Sequence, residues 1–476
     1  MRKAKLFIDN FIIYGIGGII SKIIPLIMVP IITRLMPGTE YYGVSDMSNT
    51  IISFAQSFAV FGMYEAMYRM FFEKDDKDFK KSICSTTLVF NLFTSFVVAF
   101  FLIIFRKELS FFFLDNAKYS YVIVITAVTT FVGATNSIVS APTRMMNKRK
   151  IFLITNSVAP IISYLISVPL ILKGYYVIAM PLAAMTSGLI MEVAFIILNI
   201  DWFDLSLFDL GKLKEMLKMA VPLLPTVLVF WIFGSCDRIM ITRMLGISEA
   251  GVYAVGAKLG LASQLIYTAF AGGWQYFAYY TMKEDNQVET NSKTLEYLAV
   301  ITYLTGIIIF VIAKPFYYTL FEDEYARGFI VAPYLYLAPL IQMLYQIAST
   351  QFMIIKKTWP TMILLTIGAL ANMLLNYVLI PYIGIEGAAI ASLLGYSVSL
   401  LVCIVVLDHM NLILISRRMM IVTVIMIVFV IVWRGNFANN LLGTLVISVF
   451  AGAGMIIIYY SDIMRMISKI LIKIRE

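Results

Sequence analysis

The sequence predicts an all-α integral membrane protein with about 14 transmembrane helices, arranged as two parallel six-helix repeats that form two lobes around a central cavity, plus two C-terminal helices. Of its 476 residues, 61% are hydrophobic and only 14% are charged. Apolar runs of about 20 residues, the length that crosses a bilayer as a helix, follow one another along the whole chain. Segments of the first half also return in the second half at a nearly constant offset. An ordinary soluble protein is excluded by this composition.

The apolar runs give fourteen candidate spans, which we place at 11–33, 42–66, 82–105, 119–142, 151–172, 176–199, 217–237, 250–274, 294–314, 328–352, 360–381, 386–408, 419–434 and 440–461. An even number of spans puts both termini on one side of the membrane. Most of the lysines and arginines lie in the connectors on that side. The positive-inside rule therefore predicts that both termini are cytoplasmic, and it assigns the net charge of +9 to topology rather than to nucleic-acid binding.

Two copies of one six-span unit account for most of the chain. The run ITRLMPG at 32–38 returns as ITRMLG at 241–246, and basic turns precede the fifth and eleventh spans. The offset stays at about 206–209 residues, which is stronger evidence for a repeat than any single motif. Each copy has an even number of spans, so the copies are parallel rather than inverted. We divide the chain into an N-terminal lobe (1–200), a cytoplasmic linker (201–216), a C-terminal lobe (217–408) and two extra helices with a tail (409–476).

Two lysines fall well inside predicted spans, away from the span ends. Lys22 lies near the middle of the first span, on a face with Gly15, Gly18 and Pro25. A cation at that depth costs at least ~2.5 kcal/mol, so it normally faces a bundle interior or a wet cavity. Lys258 sits among small residues in the eighth span, in a similar pattern. The alternative for both is a lysine that extends to the membrane interface, and it is stronger for Lys258.

The second span carries a polar stripe on one helical face. Asp46, Asn49 and Ser53 belong to it. It indicates either a second cavity wall or ordinary hydrogen bonding between helices. Glu192, inside the sixth span, is a candidate for ion or proton coupling, as is Asp46.

Catalytic and metal chemistry have little support in the sequence. The three cysteines lie in or beside apolar runs without metal-ligand spacing, and His409 is the only histidine. We therefore expect no metal site, no cofactor and no catalytic residue.

Several motifs resemble the Wzx-type oligosaccharide flippases of the multidrug/oligosaccharidyl-lipid/polysaccharide (MOP) exporter superfamily. They are PIITRL at 30–35 with YYG at 41–43, VYAVGAKL at 252–259, GWQYF at 273–277 and GIEGAA at 384–389. The resemblance covers nearly the whole chain, although each motif is short. It implies two six-helix bundles around a cavity, and two extra helices of the kind that form a lipid-tail groove in the related lipid II flippases.

The resemblance implies movement of a polyprenyl-diphosphate-linked oligosaccharide from the inner to the outer leaflet of the cytoplasmic membrane, for cell-surface polysaccharide assembly. Its expected partners are that lipid, membrane lipids, and a polysaccharide polymerase with glycosyltransferases. The expected substrate contacts are the cations Lys22, Lys258 and Arg34, together with the stripe residues of the second span. Cations in the lumen would offset the desolvation of a diphosphate.

Two other functions stay open. One is a Na⁺- or H⁺-coupled multidrug exporter of the same superfamily, which predicts acidic residues rather than lysines at the cavity centre. The other is a membrane-embedded glycosyltransferase or polymerase, which needs a sizeable exposed loop or domain for its acid and base residues. Connectors of this chain are short, so we expect a transporter rather than an enzyme.

Overall fold

The computed structural model describes residues 23–357 and 359–475. All regular secondary structure in these residues is helical. In lipid, every backbone N–H and C=O group must be bonded inside the protein, and a helix achieves this within one segment. The predicted all-α class is confirmed.

The helices are numbered here in chain order. They are α1 Ile23–Leu35, α2 Thr39–Val60, α3 Met63–Phe71, α4 Lys77–Ile104, α5 Arg106–Leu114, α6 Ser120–Val139, α7 Ala141–Met145, α8 Arg149–Leu172, α9 Tyr176–Asn199, α10 Leu210–Ala220, α11 Leu224–Leu245, α12 Ile247–Gly256, α13 Gly260–Tyr280, α14 Gln287–Leu320, α15 Ala332–Ile354, α16 Trp359–Ile383, α17 Ile385–His409, α18 Arg417–Val432 and α19 Leu441–Arg475. A 3₁₀ turn, Ala257–Leu259, separates α12 from α13, and a π-helical turn, Trp433–Phe437, follows α18.

Membrane-spanning helices dominate the part of the chain that the structure describes. There, nine helices are long and apolar enough to cross a membrane, or eleven if each of two bent pairs forms one span. The nine overlap nine of the predicted spans. The bent pairs, Leu210–Leu223 with Val227–Leu245 and Glu324–Ile330 with Ala332–Ile354, overlap two more. The protein is therefore a multi-pass membrane protein, and the total of fourteen spans stays a prediction.

The chain divides into two compact units. The first comprises residues 1–255 and 376–385, and the second comprises residues 256–375 and 386–476. The first unit thus contains residues 217–255, which the repeat-based division assigns to the C-terminal lobe. The lobe boundaries remain predictions.

Helices α2 and α12 cross in the first unit at a pair of glycines. A Cβ atom added to Gly43 would collide with the carbonyl oxygen of Ile247, and one added to Gly251 would collide with the carbonyl oxygen of Thr39. Small residues allow helix backbones to approach this closely in membranes. The two collisions are reciprocal, because Gly43 is equivalent to Gly251 and Thr39 to Ile247 at the offset of the sequence repeat.

The predicted second span is interrupted where α2 ends. Phe61 and Gly62 both have positive φ, at 55° and 71°. A Cβ at Gly62 would lie 2.8 Å from the carbonyl oxygen of Ala220, so glycine meets both the backbone conformation and the close approach. The break separates α2 from the short helix α3.

The predicted linker at 201–216 packs against α4 of the first unit. The Ser82 hydroxyl donates to the Leu207 carbonyl oxygen at 2.9 Å, and the Asp204 N–H donates to the Ser85 hydroxyl at 2.8 Å. Side-chain hydroxyls of α4 therefore satisfy backbone groups of a segment that lacks long regular structure.

In the second unit, α18 and α19 are joined to α14 at one end of the spans. The Glu296 carboxylate accepts hydrogen bonds from Ser416, at 2.6 Å, and from Tyr459. The Leu414 N–H donates to the Ser292 hydroxyl at 2.9 Å. The two C-terminal helices are thus hydrogen-bonded parts of this unit.

Aromatic packing and an ion pair join the same helices at the opposite end of α18. Trp433 is buried, with its ring centroid 4.6 Å from that of Phe310 and 6.1 Å from that of Tyr334. In the next turn, Arg434 Nε lies 2.5 Å from a carboxylate oxygen of Glu386, which also accepts from the Tyr334 hydroxyl at 3.0 Å.

Candidate functional site

Two of the predicted substrate-binding cations lie in or directly after the first predicted span. Lys22 lies outside the described residues, so its predicted place in a cavity wall stays a prediction. Arg34 is in the last turn of α1 and is exposed.

The polar stripe of α2 faces α11 in the first unit. Asn49 and Ser53 are exposed, and Asp46 is half-buried. Ser53 donates its hydroxyl hydrogen to the Thr50 carbonyl oxygen at 2.9 Å and accepts from the Trp231 indole N–H at 3.1 Å. The indole and the hydroxyl group thus link α11 to the stripe of α2.

Asp46 forms an ion pair with Arg238 of α11. Arg238 Nε lies 2.6 Å from Asp46 Oδ2, and Arg238 Nη1 donates to the Gly234 carbonyl oxygen at 2.6 Å. The side chains are 13% and 25% exposed, so most of the pair is withdrawn from solvent. The carboxylate is thereby charge-compensated, which is the usual state of an ionised group at membrane depth.

The neighbouring Asp237 points to different partners. It is 4% exposed, and its two oxygens accept hydrogen bonds from Tyr253 and Asn376, each at 2.7 Å. Sequence reasoning did not select Asp237 or Arg238 as site residues. The available signal was an acidic and a basic residue side by side within an apolar span, where each must find a partner on another helix.

Glu192 lies on α9, where it is half-buried and accepts a hydrogen bond from the Thr135 hydroxyl of α6. Within the described part of the chain this hydroxyl is its hydrogen-bond donor, and whether Glu192 couples to an ion stays a prediction.

Lys258 lies in the 3₁₀ turn at the break between α12 and α13, in the second unit, and is half-buried. The break is packed tightly. The Tyr317 hydroxyl donates to the Gly256 carbonyl oxygen at 2.7 Å, and a Cβ at Gly260 would lie 2.7 Å from the Leu335 carbonyl oxygen. Helix breaks of this kind occur at transporter binding sites, where they leave backbone groups near a cavity.

The first unit thus brings Asp46 and Ser53 together with Arg238 and Trp231 of α11, whereas Glu192 lies between α6 and α9. Within the described ranges, no cluster of three or more His, Cys, Asp or Glu residues forms a group that could hold a metal ion. Whether the predicted site residues bind substrate stays a prediction.

A family model described as "Polysaccharide biosynthesis protein" matches residues 31–328, more than half of the chain. The chain belongs to this family. The match covers α2, α11 and α12, which carry the stripe, the ion pair and the approach to Lys258. A comparison with curated protein sequences gave no match.

Solved transporters share the fold of this polysaccharide biosynthesis protein. The inward closed conformation of the lipid II flippase MurJ is similar with a TM-score of 0.69 at 14% identity, covering 96% of this chain and 100% of that one. An inward-facing multidrug resistance MATE transporter of the MOP superfamily has a TM-score of 0.62 at 14% identity, covering 83% and 98%. A MOP superfamily transporter from Pyrococcus furiosus has a TM-score of 0.60 at 14% identity, covering 85% and 95%. The transporter fold that the resemblance implies is confirmed.

Proposed function

We propose that the protein is a flippase that moves a polyprenyl-diphosphate-linked oligosaccharide from the inner to the outer leaflet of the cytoplasmic membrane, for cell-surface polysaccharide assembly. The observation that carries the proposal is the match to a polysaccharide biosynthesis family by a chain with a transporter fold. A membrane transporter in that pathway has an obvious cargo, because the sugar precursors are made on one side and assembled on the other.

The physical demands of this cargo agree with the side chains available. A diphosphate cannot cross hydrocarbon unaided, and cations in a lumen would replace part of its hydration. We assign Lys22, Lys258 and Arg34 to the diphosphate. We assign Asp46, Asn49 and Ser53 of the α2 stripe to sugar hydroxyls. The isoprenoid tail needs no polar contact and can remain in lipid. Alternating access would then carry the headgroup across.

The first experiment measures translocation of a fluorescent polyprenyl-diphosphate oligosaccharide in proteoliposomes. The native protein is compared with the double variant Lys22→Ala/Lys258→Ala and with Lys283→Ala, a control at an exposed connector lysine. We expect native and control proteins to flip the lipid, and the double variant to be slower by about tenfold or more, which corresponds to ~1.4 kcal/mol in the barrier.

Each result has a distinct meaning. If the double variant is active, the proposed cargo stands and the proposed cation site is wrong. If correctly folded native protein translocates none of several lipids with different headgroups, the flippase proposal is wrong.

The expected membrane, orientation and partners belong to the same proposal. Positive-inside charge supports cytoplasmic termini. A polymerase and glycosyltransferases are the partners that would consume and supply the lipid-linked sugar.

The MATE-like fold supports one alternative, a Na⁺- or H⁺-coupled multidrug exporter. Under this alternative, Glu192 and Asp46 are the coupling residues. Glu192→Gln would abolish cation-driven dye efflux from vesicles, whereas a flippase without coupling at this position would keep its rate in the same variant.

A further inference from the structure

A polar cavity lies within the first unit, away from the proposed cargo residues. It has a volume of about 270 Å³, is open on one side, and is lined by residues of α6, α7, α8 and α9, together with Ser140 between α6 and α7. One water needs only ~10–15 Å³ measured in this way, so the cavity is large enough for a small organic group. None of the residues proposed to contact the cargo lines it.

Among the described residues that line the cavity, Arg144 of α7 is the charged one. Its guanidinium lies over the Phe152 ring, 4.5 Å from the centroid, and Nη1 is 3.4 Å from the Tyr64 hydroxyl. Within the described part of the chain these are its side-chain contacts, and neither is a carboxylate. Most of its five N–H donors therefore remain available for an anion.

The cavity also contains a buried acceptor. Asn136 lines it, and the Oδ1 atom of this side chain is buried and has no hydrogen-bond partner among the described residues. Leaving such an atom unsatisfied costs about 1–3 kcal/mol, which a ligand hydroxyl would recover. Asn156, a third polar lining residue, uses one amide hydrogen on the Phe152 carbonyl oxygen at 2.9 Å and has a second to donate.

The position of Arg144 in the membrane follows from the helices that line the cavity. Arg144 lies at the end of the span Ala117–Met145 and before the span Lys150–Leu172, so its side chain is at the depth of lipid headgroups, and the cavity extends from it into the spans as far as Asn136 and Pro160. Only 6% of the apolar window of the second span is buried, and Ile154 and Ile161 are exposed on it. Acyl chains can therefore lie along α8 while a headgroup enters beside it.

We propose that this cavity binds an anionic glycerophospholipid whose phosphodiester carries a hydroxylated headgroup, with Arg144 on the phosphate and Asn136 accepting from a headgroup hydroxyl. The combination of a cation without a carboxylate partner and an unsatisfied acceptor selects a ligand that has both a negative charge and hydroxyl donors. Phosphatidylglycerol has this chemistry, whereas phosphatidylcholine has neither a net charge nor a headgroup hydroxyl. The site serves a resident lipid and does not depend on the proposed cargo.

The test measures thermal unfolding of the full chain in a nonionic detergent during titration with dioctanoyl phosphatidylglycerol, dioctanoyl phosphatidylcholine or inorganic phosphate. The variants are Arg144→Gln, Asn136→Leu and the control Lys150→Gln, which removes an exposed cation of the same basic turn that does not line the cavity. We expect phosphatidylglycerol to raise the melting temperature of the native protein and of Lys150→Gln. The apparent affinity should fall about tenfold or more in the other two variants.

Three results would overturn the proposal. They are an equal shift with phosphatidylcholine, an unchanged phosphatidylglycerol response in both Arg144→Gln and Asn136→Leu, and full reproduction of the shift by inorganic phosphate, which would make the site one for the free anion. Asn136→Leu removes an unsatisfied polar atom and keeps the side-chain volume, so it should fold even if Arg144→Gln does not.

Discussion

Two arginine–carboxylate pairs, one in each unit, differ in which partner is shielded. In the first unit, Asp46 and Arg238 are 13% and 25% exposed. In the second, Glu386 is 4% exposed whereas Arg434 is 47% exposed. The first pair joins two helices of the repeats, and the second fastens the π-helical turn after α18 to the start of α17.

This difference in exposure determines how much each charged partner contributes to the free energy of unfolding. When both partners are shielded, losing either one leaves an uncompensated charge away from water. When only the carboxylate is shielded, the arginine can be solvated alone and the carboxylate cannot. Mutational effects should therefore be similar for the two partners of the first pair and unequal for those of the second.

The largest effect is expected for Asp46→Leu. Breaking a buried pair costs about 3–5 kcal/mol, and the partial exposure of Arg238 places this variant at the lower end. Thermal unfolding in detergent measures it, with Asp115→Leu, which breaks a more exposed pair with Arg243 at 3.5 Å, as the control. The swap Asp46→Arg/Arg238→Asp should recover part of the loss. Equal melting temperatures for Asp46→Leu and the control would show that the pair is not shielded.

The second prediction is an inequality within the other pair. Arg434→Gln should destabilise the protein by about 2 kcal/mol, because it leaves Glu386 without its cation in a buried position. Glu386→Gln should cost less than about 1 kcal/mol, because the exposed Arg434 remains hydrated. The two variants are compared in the same unfolding assay, and a larger loss for Glu386→Gln would reverse the argument.

The variant Tyr334→Phe tests the surroundings of the second pair. It removes the hydroxyl that donates to Glu386 at 3.0 Å but keeps the ring among Phe310 and Trp433. We expect a loss of about 1 kcal/mol, since Glu386 keeps its arginine. Combined with Arg434→Gln, the loss should exceed the sum of the single effects, and strict additivity in this double-mutant cycle would argue against a shared network.

The smallest effect is expected at an ion pair whose carboxylate, Asp75, is fully exposed in the connector before α4. Lys80 lies 2.5 Å from Asp75, and its hydrogen bond holds the pKa of that carboxyl below its usual value. A lowered pKa favours the folded state above the carboxyl's ordinary pKa, and this contribution disappears as pH falls through the folded-state value. Asp75→Asn should lower the melting temperature only slightly at neutral pH and leave it unchanged in acid, where the native carboxyl is protonated. A large effect at neutral pH would mean that solvent screening is weaker there than exposure indicates.

The transmembrane helices were predictable because a bilayer allows few backbone structures. The spans placed at 151–172 and 176–199 correspond to α8 and α9 almost residue for residue, since a long apolar run must satisfy its backbone as a helix. The interruptions were harder to predict. The break at Phe61–Gly62 depends on the approach of Ala220, and the π-helical turn at Trp433–Phe437 accompanies packing against Phe310. These are tertiary contacts that local sequence does not contain.

The candidate site was only partly predictable for the same reason. Sequence selected Asp46 because it lies on a polar helical face. Its partner Arg238 is 192 residues away, and only the packing of α2 against α11 brings the two together. Periodicity shows which face of a helix is polar, but it does not tell which other helix that face meets.

The crossing of α2 and α12 at Gly43 and Gly251 has an implication for the origin of the chain. Each glycine meets the backbone of the other helix in the same way, and the two positions are equivalent in the sequence repeat. A contact in which residue i meets residue j and j meets i is isologous, the kind that two identical subunits make across a two-fold axis. A polypeptide of one repeat could have formed it by homodimerisation before the gene was duplicated and fused.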